Sequence, residues 1–64
     1  MESDFPTGLG KPAERAFAAV GYSWLEQLTS VRASELAALH GVGPKAIRVL
    51  RAALAAKGMS FAGE

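Results

Sequence analysis

The residues best suited to bind a ligand are Gly41-Val42-Gly43-Pro44-Lys45-Ala46-Ile47. Two glycines permit positive φ and let another backbone or a phosphate come close. Val42 between them is expected to face inward and pin the turn to a core. Pro44 suits the first turn of a helix, where an N–H would be unpaired anyway. Ala46 is small enough for two helices to meet at the corner. The free N–H groups of the turn and of the first helical turn then point outward together, at the positive end of a helix dipole. Lys45 adds a point charge beside that nest, and a phosphate is its natural guest. Arg48 lies three residues beyond Lys45, on the same helical face, and is placed to assist.

The pattern has an echo 33 residues earlier. Gly8-Leu9-Gly10-Lys11-Pro12-Ala13-Glu14-Arg15-Ala16-Phe17 repeats Gly, hydrophobe, Gly, Ala and Arg in register with residues 41–50. Two such units would share one core that neither could build alone. The first copy has Glu14 where the second has Ile47 and lacks a full preceding helix. Its Gly8, Gly10, Lys11 and Arg15 are expected to form a secondary phosphate contact.

Nothing else in the chain assembles a reaction centre. Glu14 and Glu26 have no nucleophile or metal-ligand partner and are read as capping and surface residues. His40 is a lone histidine, expected to cap a helix C-terminus, where an imidazolium suits the dipole. Phe17, Tyr22 and Trp24 could stack on bases, but at helical positions in a small core they are read as packing. With no cysteine and one histidine, no disulfide, thiolate metal site or His-based zinc site is expected. No cofactor is expected, and 64 residues leave little room for an enclosed active site.

Charge is distributed unevenly. Residues 1–35 carry Lys11, Arg15 and Arg32 against Glu2, Asp4, Glu14, Glu26 and Glu35, a net of −2. Residues 36–63 carry Lys45, Arg48, Arg51 and Lys57 and no acid, with Glu64 following them. An acid-free basic half is a plausible footprint for a polyanion, although the whole chain carries only +1.

The elements that must position these residues are helices. Half the residues are apolar and thirteen are alanine, which argues against disorder and for closely packed helices. A chain this short buries roughly 60% of its unfolded surface, so the core is thin. Residues 1–7 read as a flexible lead-in and 8–62 as one domain. The acidic start Met1-Glu2-Ser3-Asp4 has no apolar stretch behind it and is not read as a signal peptide. No apolar run reaches the ~18 residues of a membrane span, so a cytoplasmic protein is expected.

A first helix is predicted from Lys11 or Pro12 to about Val20, with Gly21 as its stop. A short second helix holds Trp24, Leu25 and Leu28, opened by a capping box of Ser23 and Glu26. A third is predicted over 33–40 and a fourth from Pro44 to about Lys57, with Gly58 as its stop. Met59 and Phe61 are expected to fold back as a small apolar lid. No segment alternates with period two, so the expected fold is all-α, a compact bundle of four to five short helices.

Residues 36–54 resemble the helix-hairpin-helix family of DNA-binding motifs, with Leu36 and Leu39 correctly placed before the Gly-hydrophobe-Gly turn. The resemblance implies a SAM-like bundle ending in that hairpin. It also implies that the amides of Gly41, Val42, Gly43 and Ala46, with Lys45, grip a backbone phosphate largely without reading bases. Residues 8–61 are further similar to the C-terminal domain of the bacterial RNA polymerase alpha subunit, whose tail resembles Lys57-Gly58-Met59-Ser60-Phe61. That domain grips upstream promoter DNA in the minor groove and touches activator proteins. Lys45 matches its hairpin lysine. Its first-helix arginine falls at Pro12 and a nearby asparagine at Arg15, so promoter-specific reading is not implied.

Two functions are therefore expected in turn. The first is a non-enzymatic module that binds double-stranded DNA through its phosphates, a transcription or repair accessory in the bacterial cytoplasm, associated with the nucleoid. The second is a protein-interaction module on the same fold, docking to RNA polymerase or repair proteins. Oligomeric state is left open.

Overall fold

The first helix begins where proline and glycine dictate. In a computed structural model, which describes residues 4–64, α1 spans Lys11–Ala19 with Gly10 as its N-cap and Pro12 in its first turn. It is followed by a 3-10 helix, η1 (Leu25–Ser30), then α2 (Ala33–Ala37) and α3 (Pro44–Ala56). All four elements are helical and there is no strand among the described residues. No described helix is long and apolar enough to cross a membrane. The radius of gyration is 10.4 Å, close to the ~11 Å expected of a compact chain of this length.

α1 and α3 end in the same way. Beyond α1, the Gly21 N–H donates to the Ala18 carbonyl at 3.1 Å and the Tyr22 N–H to the Phe17 carbonyl at 2.8 Å. Beyond α3, Gly58 donates to Ala55 at 3.0 Å and Met59 to Leu54 at 2.8 Å. Each is a Schellman closure, and each glycine takes the positive φ it requires, 85° and 72°. α3 is four residues longer than α1, one added turn.

The short elements depart from expectation. Trp24, not Ser23, is the N-cap of the second helix, and that helix is 3-10 rather than α. The acceptor that reaches back is Gln27 rather than Glu26: its Oε1 takes the Ser23 and Trp24 amides at 2.7 and 2.8 Å. Three residues per turn stack Leu25 directly over Leu28, and both are buried. Trp24 is consequently turned outward at 46% exposure, against the reading that it packs inside. Tyr22 is half-buried against the core, and Phe17 is fully buried.

α2 stops at Ala37, three residues before the predicted end. The chain then tightens into successive turns, with Leu39 N–H on the Leu36 carbonyl and Val42 N–H on the Leu39 carbonyl. These turns half-bury Leu39 and swing Val42 into the core. His40 is therefore exposed in the turn and caps no helix. A half capping box missed by the sequence reading opens α2, where Glu35 Oε1 accepts the Arg32 amide at 3.3 Å.

The core gathers every element: Leu9, Phe17, Leu25, Leu28, Leu36, Leu50, Leu54 and Phe61 are all buried in one cluster. Phe61 returns over it as expected, 1% exposed, held by the Ala62 N–H on the Val31 carbonyl at 3.0 Å. The expected lead-in divides. Residues 1–3 lie outside the described residues, whereas Asp4 and Phe5 are anchored. Asp4 Oδ1 accepts the Leu25 amide at 2.7 Å, and the Phe5 ring meets Phe17 edge-on at 5.6 Å.

Candidate nucleic-acid interface

The segment 41–47 is positioned by a close approach between two turns. Gly41 has φ +94°, and a Cβ there would stand 2.9 Å from the Pro12 carbonyl oxygen. Gly41 is thus spent on packing against the start of α1. Gly43 is different. Its φ is −109°, which any residue adopts, and a Cβ there would meet nothing within 4 Å. Neither backbone conformation nor packing requires glycine at 43, against the expectation that both glycines serve positive φ.

The donors of the turn can be assigned one by one. The Val42 amide is consumed by the Leu39 carbonyl at 3.1 Å, and its side chain is buried, so Val42 is a structural residue rather than a phosphate donor. The Ile47 amide makes the first bond of α3, to the Gly43 carbonyl at 3.3 Å. The amides of Gly41, Gly43, Lys45 and Ala46 make no hydrogen bond among the described residues. Gly43, Lys45 and Ala46 cap the N-terminus of a 13-residue helix, where unpaired N–H groups favour an anion. Ala46 is buried by its methyl group, so it offers its amide alone.

The cations of the basic half separate into two sets. Lys57 Nζ lies 3.0 Å from Asp4 Oδ2, and Arg51 makes a two-pronged pair with Glu64 at 3.0 and 2.7 Å. Lys45 and Arg48 have no acidic partner among the described residues. They are the cations of residues 36–63 left to meet an external anion. The Asp4 carboxyl is held below its ordinary range, chiefly by the Leu25 amide and further by Lys57. Glu64 is lowered by its hydrogen bond from Arg51. Arg48 shares a stripe with Pro44 and Arg51 along the groove between α3 and α2, a groove that Lys45 does not line.

The N-terminal echo is visible in the fold. Gly8 has the same φ as Gly41, +94°, and Leu9 and Ala13 are buried as Val42 and Ala46 are. The Glu14 amide bonds the Gly10 carbonyl at 3.1 Å, the counterpart of Ile47 on Gly43. The two copies diverge at the second glycine, since Gly10 takes φ +88°. Lys11 and Arg15 border a shallow exposed depression on α1 with Glu14 between them, so the secondary cluster carries its own acid. Pro12 removes there the amide that Lys45 contributes in the second copy.

Compared with known proteins, the chain matches no family model, no curated protein and no solved structure.

Proposed function

We propose that this chain is a non-enzymatic, largely sequence-nonspecific DNA-binding module of the helix-hairpin-helix type, similar to the C-terminal domain of the bacterial RNA polymerase alpha subunit. The observation that carries the reading is the set of amides at Gly43, Lys45 and Ala46 beside the Lys45 side chain, all without a partner among the described residues, at a glycine the fold does not itself need. Backbone N–H groups at a helix start fit phosphate oxygens, and the absence of a Cβ at 43 admits close approach. The Gly41 amide stands next to this group. Arg48 flanks it, and Lys11 and Arg15 on α1 supply the secondary contact. Val42 serves by holding the turn in place.

Phosphate contacts fix position on a duplex without carrying sequence information, which suits a transcription or repair accessory at the nucleoid. With two or three phosphates neutralised, the dissociation constant for double-stranded DNA falls at about 10⁻⁴ to 10⁻⁶ M. The test is a titration of a labelled duplex of about 20 bp at two salt concentrations. Binding is expected to weaken with salt at a logarithmic slope of about −2 to −3 and to collapse in Lys45→Glu. Absence of binding at low salt by the native chain overturns the reading, as does Lys45→Glu binding at native strength.

A further inference from the structure

Between α2 and α3 runs an open groove of about 440 Å³, within the ~300–1,000 Å³ range of ligand sites. One wall is made of the small residues Ala33, Ser34 and Ala37. Val42 and Ile47 form its floor, both buried, and Arg48 and Arg51 stand on the far edge. No acidic side chain lines it. The groove follows α3 from Pro44 to Arg51, about two turns or 10 Å. Glu35, the acid of α2, borders a different depression, with Val20 and Leu39.

We infer that this groove binds an acidic amphipathic helix of a partner protein, seating its apolar side chains against Val42, Ile47 and Ala37 and a carboxylate on Arg48. The choice of occupant rests on charge complementarity. An apolar trough with no acid in its lining and Arg48 without an acidic partner among the described residues on its edge matches a segment whose apolar stripe is flanked by a carboxylate. The arginine edge already demonstrates the contact within the chain. Arg51 holds the Glu64 carboxylate through two hydrogen bonds and lies 5.7 Å over the Phe61 ring, which fixes its guanidinium in place. Arg48, one turn earlier on the same stripe, has no such carboxylate among the described residues. An incoming helix supplies one. Spacing of three to four residues on that helix places its apolar anchors along the two turns of α3. The α2–α3 groove and the Lys45 turn share Arg48, but Lys45 does not line the groove, so the two readings are told apart at Ala33 and Ala37 on one side and at Gly43 and Lys45 on the other.

The test is an amide NMR titration of the native chain. The probe is a synthetic peptide of about 16 residues, long enough to sample helix, with leucines at helical spacing and glutamates beside them. A second peptide carries lysine in place of every glutamate, and a DNA duplex is titrated separately. Expected are shifts concentrated at Ala33, Ala37, Ile47 and Arg48 with the acidic peptide and none with the basic one. Ala37→Trp fills the groove from an exposed position and is expected to abolish them. Arg48→Glu is expected to weaken binding about tenfold, while the rest of each variant's spectrum reports an intact fold. The inference is overturned if the acidic peptide leaves the groove amides unmoved, if the basic peptide moves them equally, or if Ala37→Trp binds undiminished. The duplex is read at the amides of Gly43, Lys45 and Ala46. Silence there, with the groove still responding to peptide, sinks the DNA reading alone.

Discussion

Gly41 presses against Pro12 so closely that a Cβ on Gly41 would lie 2.9 Å from the Pro12 carbonyl oxygen. This contact joins the turn before α3 to the first turn of α1, and so joins the two copies of the Gly-hydrophobe-Gly pattern. Gly8 offers an internal control, with the same φ of +94° and nothing within 4 Å of its Cβ position. Gly8→Ala therefore carries only the cost of an unfavourable backbone region, about 1–3 kcal/mol. Gly41→Ala carries that cost plus displacement of α1, and is expected to destabilise more. Urea unfolding of the two variants side by side checks the difference. Equal losses would show that the close approach contributes nothing.

Gly43→Ala separates fold from function. At 43 an alanine meets neither a forbidden φ nor a neighbouring atom. The gain from a less flexible unfolded chain roughly offsets the poorer N-cap, leaving stability within about 0.5 kcal/mol of native. DNA binding is nevertheless expected to weaken, because on the proposed reading the added methyl would stand where a phosphate approaches. Chemical denaturation and duplex titration on one preparation provide both readouts.

Lys45 and Lys57 carry equal charge and differ in company. Lys57 already faces Asp4 at 3.0 Å, while Lys45 has no acidic partner among the described residues. Lys45→Ala is expected to reduce the salt slope of DNA binding by about one. Lys57→Ala leaves the slope unchanged and costs a little stability. A pair of salt titrations measures this, and equal effects from the two lysines would reduce the interface to diffuse charge.

Phe61 closes the core from outside the last helix, at 1% exposure. Phe61→Ala removes a buried aromatic ring and is expected to cost about 3–5 kcal/mol. A domain this small has little more than that in reserve, so circular dichroism at 25 °C is expected to show substantial unfolding. A variant that keeps native helicity and melts at the native temperature would mean the tail is not part of the core.

Asp4 ties stability to acid. Its folded carboxyl titrates below the ordinary value of 3.8, held down first by the Leu25 amide and then by Lys57. A depressed folded pKa contributes stability that is fully present above the unfolded value and lost as pH falls through the folded one. Asp4→Asn is thus expected to lower the melting temperature at neutral pH. The difference from native shrinks below pH 3.8 and closes once both states are protonated. A constant difference across that window would assign the effect to something other than ionisation.

Much of this architecture is local and was legible in the chain. Pro12 and Pro44 start helices because proline fits a first turn, and Gly21 and Gly58 end them because a Schellman closure needs positive φ. The spacing of Ile47, Leu50 and Leu54 sets one buried stripe, and all three are buried. The repeat at an offset of 33 could be read as letters and returns as matched burial and matched helix starts. Contacts between distant segments were not legible. Nothing near Lys57 or Arg51 announces Asp4 and Glu64, which neutralise them from 53 and 13 residues away. No local pattern tells that Gly41 serves packing while Gly43 serves none, or that Val42 gives up its amide to Leu39. Helix signals act within a turn or two of backbone, so the sequence alone determined where the two long helices start and stop, whereas the end of α2 and the 3-10 form of η1 departed from it. Which amides stay open, which cations stay unpaired and which apolar faces form a groove depend on what folds back against them, and only the tertiary structure decided those.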